Sequence, residues 1–464
     1  MNMREIGFIL FFLVPTILAS QDKVTLTYED FIATVTDYHP VLSQIALLDE
    51  QSDAYLLKAK GNFDPTVDFQ FGKKSFDDKN YYRKIDGNIK IPTRIGLDIV
   101  AGYENNVGQF LDSEESLPGP GLLSAGISLP LGNGLRYDER RKVLDEAKLI
   151  GEKNELKQIE VYNKVLFNAT KSYIEWQNDY QKVLLYEQAN VVATQSFMNS
   201  KQLYIQGVGT AMDTLEAQLN LDQRNASLLK SEQNYFVTKQ ALNNYLWGPN
   251  NVLLALNEST FPQILTTEMW IDQVASLQVV QDERIQNITA VRNLGIESAQ
   301  LGLDKKLERE FLKPIIDLKY NPLFRLDDNN RFLSYTTSDY KAGVQAYYPI
   351  FARKARGNLK LIDIDIESLG LELPLLIENT NIDLQTLIQN NQTILDRLMI
   401  ARKNILGATR LFEAEMIKFN LGESSQFLLN SREFKKLDFE LKALELEKEL
   451  LKNRTKYIYK LQAF

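Results

Sequence analysis

The stretch from Gly134 to Tyr204 constrains the fold most, because it carries one helical periodicity over 70 residues. From Leu156, apolar side chains recur at Ile159, Tyr162, Leu166, Ala169, Tyr173, Trp176, Tyr180 and Val183. Steps of three and four residues place them on one face and describe a coiled-coil seam. At 1.5 Å per residue the segment is about 100 Å long, more than a compact globular domain can use. A second seam is expected along Phe434, Leu437, Leu441, Leu444 and Leu451, with charges between them. Such stripes pack helices together, and the functional content lies in the length they sustain.

The rest of the chain repeats one plan. Residues 26–62 read as helix, 65–131 as strands and 135–247 as helix again. After a Gly-Pro-Asn loop at 248–250 and an irregular stretch to about 266, helix resumes to 312, strands occupy 314–351, and helix runs on from there. Pro65 in "FDPTVDFQF" matches Pro314 in "LKPIIDLKY", 249 residues on; Pro130 matches Pro349, 219 on; Gly207 matches Gly422, 215 on. The first drop, of 30 residues, falls inside the strand region, so the first copy has longer strands or loops. Two copies are too few for a solenoid and point to pseudo-symmetry within a subunit. The expected divisions are 1–20, 21–64, 65–131, 132–247, 248–266, 267–313, 314–351 and 352–464.

The strand regions alternate with period two. In 89–103, Ile89, Ile91, Ile95, Leu97, Ile99, Ala101 and Tyr103 oppose Lys90, Arg94, Gly96, Asp98 and Gly102. Leu123, Ala125, Ile127, Leu129 and Leu131 continue the pattern, as do Tyr340, Ala342, Val344, Ala346, Tyr348 and Ile350 in the second copy. One face is apolar and one polar, as in a half-buried soluble sheet or a membrane barrel. Strands of about nine to fifteen residues are long enough to cross a bilayer at a tilt, and Tyr103, Tyr340, Tyr347 and Tyr348 fit an aromatic girdle. Four to six strands do not close a barrel alone, so a spanning barrel needs several subunits.

Composition removes other classes. A net charge of −8 argues against nucleic acid as a partner. The absence of cysteine excludes disulfides and thiol chemistry, and a single histidine, His39, leaves no basis for histidine zinc sites or His-dependent triads. No phosphate-cradling GxxxxGKS loop is present, carboxylates on seamed helices read as solvated faces, and no cofactor or enzymatic activity is implied. "IGFILFFLVPTILAS" after Arg4 has the layout of a secretory signal peptide cleaved near Ala19–Ser20.

The signal peptide, the duplicated plan, the "PLGNG" strand-to-helix joint and the motifs "LYIQGVGTAMDTLEAQLNLDQ" and "IKFNLGESSQFLLNSREF" together resemble the TolC-like outer membrane channel proteins. The resemblance implies a mainly α fold with β. Three subunits would share a transmembrane β-barrel continuous with a long periplasmic α-helical barrel. It further implies a passive exit duct in the outer membrane, lipid around the barrel, and a periplasmic adaptor with an inner-membrane RND or ABC transporter as partners. The turns at Tyr204/Gly207 and Phe419/Gly422, with Asp213 and Ser425 beside them, resemble the helix-hairpin tips on which adaptors dock.

In the family, acidic residues six and nine positions past the second glycine ring the closed end of the pore. Here Leu428 and Ser431 stand there, while Asp213 and Glu216 hold the first-copy positions. The family's latch pairs the first-copy aspartate with a tyrosine and an arginine, whose places are taken by Phe419 and Ser424. The departure implies a differently latched, apolar constriction around Leu428 and Ser431. At the joint, Pro130 removes a ladder donor, Gly132 and Gly134 permit a bend, and "RYDERRK" reads as the first helical turns in water. The counterpart at Pro349 lacks the glycines, so Phe351 and Ala352 must turn differently. The competing reading is a periplasmic coiled-coil scaffold without a pore.

Overall fold

The computed structural model describes residues 24–266, 282–326 and 333–464. The expected signal peptide and residues 267–281 of the third helical segment lie outside the described residues. No helix among those described is long and apolar enough to cross a membrane.

The chain folds as two compact units, and both long helices contribute to each. One unit contains residues up to His39, Asn168–Ser276 and Asn391–Thr455. Here strand β1 (Val24–Leu26) and helix α1 (Tyr28–Tyr38) lead in. The later part of α3 (Glu139–Ile205) turns into α4 (Ala211–Asn243). The later part of α7 (Arg353–Asn420) turns into α8 (Gln426–Lys460). The expected irregular stretch holds short strands that include Thr260–Pro262, parallel to β1. Thr27 caps α1 by accepting from the Asp30 backbone N–H, which closes the start of the helix directly after β1.

The first seam is a true core stripe. Phe31, Val35, Tyr173 and Trp176 are fully buried, with Tyr173 and Trp176 edge to face at 5.7 Å. The Tyr173 hydroxyl donates to the Leu26 carbonyl at 2.8 Å and accepts from the Gln263 backbone N–H at 3.1 Å, tying the short parallel pair to α3. His39 is buried against the Tyr245 ring, and burial lowers its pKa, as suits a structural histidine. The second seam is displaced from its expected line. Leu437 and Leu451 are buried, but Phe434 is exposed, and Ala443, Leu446 and Leu450 pack with Ile394, Leu398 and Ala401. Several stripes on α8 share the three-to-four spacing, and tertiary contacts select among them.

The other unit contains Pro40–Phe167, Leu277–Asn390 and Lys456–Phe464. Helix α2 (Pro40–Lys60) packs on the early part of α3, where Asn154 donates to the Leu48 carbonyl and the Ser52 hydroxyl, and Gln158 to the Ile45 carbonyl. After the short α5 (Asp282–Gln286) comes α6 (Thr289–Glu310), whose Asp304 pairs with Lys142 at 2.7 Å. Ile285, Ile288, Leu384, Leu387, Tyr457 and Leu461 form one apolar cluster; Ala59, Leu144 and Ala147 form another.

This unit also holds one antiparallel sheet of six strands in the order β10-β9-β5-β4-β3-β2. Here β2 is Thr66–Phe76, β3 Lys79–Pro92, β4 Asp98–Val107, β5 Leu122–Pro130, β9 Ile315–Leu326 and β10 Leu333–Tyr347, with β6 to β8 being the short strands Trp247–Gly248, Val252–Leu253 and Thr260–Pro262. The expected single run over 89–103 is two strands. Pro92 ends the ladder, Thr93 N–H donates to the Leu97 carbonyl, and Gly96 turns at φ +88°. Parity survives across the turn, which is why the sequence reads as continuous.

Because the two units depend on different cores, their stabilities are separately testable. Tyr173→Phe keeps the buried ring and removes its hydroxyl, while Gln263 N–H and the Leu26 carbonyl still pair with each other. The expected loss is about 1 kcal/mol, read as a lower urea midpoint in detergent with an unchanged slope.

Candidate functional site

The sheet is amphipathic across all six strands. The registers Ile89↔Ala101, Ile99↔Ile127, Leu129↔Leu318 and Val344↔Leu318 align one apolar face. Val67, Phe69 and Phe71 extend it on β2, and Tyr320/Tyr340 and Phe324/Tyr335 contribute aromatic pairs at 5.8 and 5.3 Å. The opposite face carries Asp68, Lys84, Asp86, Asn88, Lys90, Glu104, Ser124, Lys319 and Lys341. Large side chains on the apolar face are open, with Phe69 at 69% and Val344 at 70% exposure. An exposed apolar face of this breadth marks a contact surface rather than a soluble sheet.

The first joint is built by close approach. Leu131 N–H donates to the Ile316 carbonyl at 2.7 Å and Asn133 N–H to that of Pro314 at 2.9 Å. A Cβ on Gly132 would lie 1.8 Å from the Pro314 oxygen, so only glycine fits. Gly134 follows at φ +88°. The charged run after it is not simply solvated. Asp138 caps α3 by accepting from the Arg141 backbone N–H at 2.9 Å, and the Arg141 guanidinium caps the carbonyls of Gly134, Leu135 and Arg136. Arg140 bridges Asp138 and Asp98, each at 3.0 Å. Burial opposes ionisation of Asp138, but the hydrogen bonds from Arg141 and Arg140 outweigh it and hold the carboxyl below its usual range. The second joint differs as expected. Ala352 takes φ +42°, its N–H donating to the Pro349 carbonyl at 3.0 Å, and Arg353 lies over the exposed Phe351 ring.

Both helix turns in the other unit are Schellman motifs of the same register. Gly207 N–H donates to the Tyr204 carbonyl and Val208 N–H to that of Leu203, each at 3.0 Å. In the second copy Gly422 donates to Phe419 at 3.0 Å and Glu423 to Lys418 at 2.9 Å. The glycines sit at φ +74° and +77° with open space where a Cβ would be, so conformation alone demands them. Beyond the turns the copies diverge. Thr210 and Asp213 form a reciprocal capping box on α4, and every side-chain hydrogen bond of Asp213 among the described residues goes to Thr210. At the matching place Ser425 accepts from the Leu428 N–H, and Leu428 returns nothing. Leu428 and Ser431 are both exposed. Ser424 donates to Glu415, which Arg432 also approaches; these two contacts hold the Glu415 carboxyl below its usual range.

A buried polar seam behind these turns has no sequence signal beyond polar residues at packing positions. Gln426, fully buried, donates to Ser196 and Asn430 and accepts from Ser200; Asn220 donates to Asn430 and Glu433. Arg224 and Glu433, both buried, approach at 3.6 Å.

Residues 106–247 match the family model described as outer membrane efflux protein. No match was found among curated proteins. Among solved structures, the outer-membrane channel OprN is 12% identical with a TM-score of 0.67, over 94% of this chain and 90% of its own. CusC, described for its transmembrane channel formation, is 13% identical with a TM-score of 0.67 over 93% and 91%. The outer membrane channel CmeC of Campylobacter jejuni is 12% identical with a TM-score of 0.65 over 94% and 86%. The fold is the TolC-like channel fold. The resemblance to TolC-like outer membrane channel proteins read in the sequence is upheld in the fold. Within that TolC-like frame, the duplicated Schellman turns and the paired joints are the sites the sequence singled out.

Gly207→Ala and Gly422→Ala should each cost about 1–2 kcal/mol, with asparagine costing less at either place, because only the left-handed backbone is at stake. Gly132→Ala should cost more, since the Pro314 backbone must move. Thermal unfolding by circular dichroism ranks the three; equal effects of alanine and asparagine at Gly207 would contradict this account of the turns.

Proposed function

We propose that this chain is the outer membrane exit duct of a tripartite efflux or type I secretion system. Three copies pass substrate passively from a periplasmic adaptor and an inner-membrane RND or ABC transporter to the exterior. The observation that carries the reading is the six-stranded sheet with one continuous apolar face and one polar face, the surface a barrel wall presents to lipid and to water. Adaptor docking is assigned to the turns around Tyr204, Gly207, Asp213, Phe419, Gly422 and Ser425. Open apolar side chains there, among them Val208, Met212, Leu421 and Phe427, support this. The reading predicts heat-modifiable trimer bands from a detergent-solubilised outer membrane fraction. Recovery as a soluble monomer would overturn it.

The pore constriction is assigned to Leu428 and Ser431, with no carboxylate ring at that position. Asp213 is occupied in its own capping box, which makes it a helix-start residue rather than a selectivity group. Asp213→Ala should therefore cost α4 about 1 kcal/mol of capping and leave the reversal potential in a salt gradient unchanged. Strong cation selectivity lost in that variant would refute the apolar constriction.

A further inference from the structure

We propose that the inserted β3–β4 hairpin is built into the wall of the barrel that three copies share, so that each copy contributes six strands, meets its neighbours through the open edges β2 and β10, and the barrel closes with eighteen. The proposal rests on the channel reading above.

The hairpin is an insertion in the repeat. Pro65 and Pro314 precede β2 and β9, while Pro130 ends β5 and Pro349 follows β10, so β2 and β5 correspond to β9 and β10. Strands β3 and β4, spanning Lys79–Val107, have no second-copy counterpart and account for the 30-residue excess of the first strand region.

The hairpin is nevertheless part of the sheet. It pairs with β2 on one side over Thr66↔Lys90 to Phe76↔Lys79 and with β5 on the other over Asp98↔Ser128 to Glu104↔Leu122. Ile85, Ile89, Ile91, Ile99 and Ala101 continue the apolar face, and Lys84, Asp86, Asn88 and Glu104 the polar one. Its turn is fastened to the strand–helix joint through Asp98, which Lys90 and Arg140 each reach at 3.0 Å. Its other end is fastened by Lys84 on Glu115 at 2.6 Å.

The edges identify the partner. In an apolar medium every unpaired backbone group of an edge strand costs several kcal/mol, so a sheet facing lipid must close. Six strands are too few to close on themselves, since about eight make the smallest side-chain-filled barrel. With an even number of strands in an antiparallel sheet, β2 and β10 run in opposite directions. A β2–β10 junction between copies is therefore antiparallel like every other pairing in the sheet. Barrels of about sixteen to eighteen strands enclose an open aqueous channel, so the insertion sets a wide outlet rather than a filter.

The chain has no cysteine, so each introduced thiol reports alone. Single cysteines are placed at Ile85, Ile89 and Ile99 and at Asp86, Asn88 and Glu104, and the reconstituted protein is treated with a membrane-impermeant maleimide on both sides of the vesicle. Labelling confined to the second set is expected; equal labelling of both sets would remove the hairpin from the wall. Paired cysteines at Phe69 and Val344, and at Phe69 and Ala342, are expected to give intersubunit disulfides on oxidation, and none at any β2–β10 pair would overturn the junction. Removing residues 77–106 should narrow the barrel in projection maps by about one third, as diameter scales with strand number. A trimer whose diameter is unchanged by the deletion defeats this proposal and leaves the channel standing. Absence of any trimer from the intact chain defeats the channel reading itself.

Discussion

The two halves of the duplication become one sheet at β5 and β9, and that contact depends on missing side chains. A Cβ on Gly126 would lie 2.1 Å from the Tyr320 carbonyl oxygen, and one on Gly132 would lie 1.8 Å from that of Pro314. Both positions let backbone meet backbone where any side chain would wedge the strands apart. The pairing between them is interrupted beside Pro322, which cannot donate, and the β9–β10 register also shifts there, between Tyr335 and Tyr340. The sheet tolerates this one local irregularity on β9 because Gly126 sits opposite it without a side chain and the ladder resumes at Ile127↔Tyr320. Without that approach there would be two small sheets, each with its own edges, instead of one continuous apolar face.

The duplication meets equal demands with equal means and unequal demands with different ones. Each helical turn must reverse two long helices and satisfy the carbonyls at the first one's end. Both copies do so with a glycine at positive φ and the same pair of backbone hydrogen bonds. The strand-to-helix joints are under different constraints. The first must pass β9, so it needs glycine and a guanidinium clasp from Arg141. The second leaves the edge strand β10, has no strand of its own copy to avoid on that side, and makes its turn at Ala352.

What was legible in the sequence was whatever produces a period or a breaker. The 70-residue seam, the alternating strands, the matched prolines and the paired glycines all have local signatures, and each lies in the expected kind of element. The seam on α8 was legible as a stripe but not as the right stripe, because several lines at helical spacing compete on that surface. The break at Pro92–Gly96 was hidden by its own geometry: the turn preserves parity, so two strands imitate one. The charges of "RYDERRK" were visible while their partners were not, since Asp98 lies 42 residues before Arg140 in the chain. Gln426 and Asn430 give no signal at all, because a polar residue at a packing position looks like a solvated one until its partners are known.

That polar seam has its own logic. An apolar seam between long helices supplies stabilisation but tolerates sliding, since one leucine fits the next hole nearly as well as its own. Gln426 has partners on α3 at Ser196 and Ser200 and on its own helix at Asn430, and Asn220 on α4 reaches the same group. A shift by one helical turn would leave several buried polar groups without partners, at about 1–3 kcal/mol each. A buried pair such as Arg224 and Glu433 adds little net stability once desolvation is counted. Its contribution is to register. In helices of this length a small slip near the turns would displace Gly207 and Gly422 together with every group placed around them. The apolar cluster of Ile394, Leu398 and Leu450 holds the helices together, and the polar seam determines where along one another they stop.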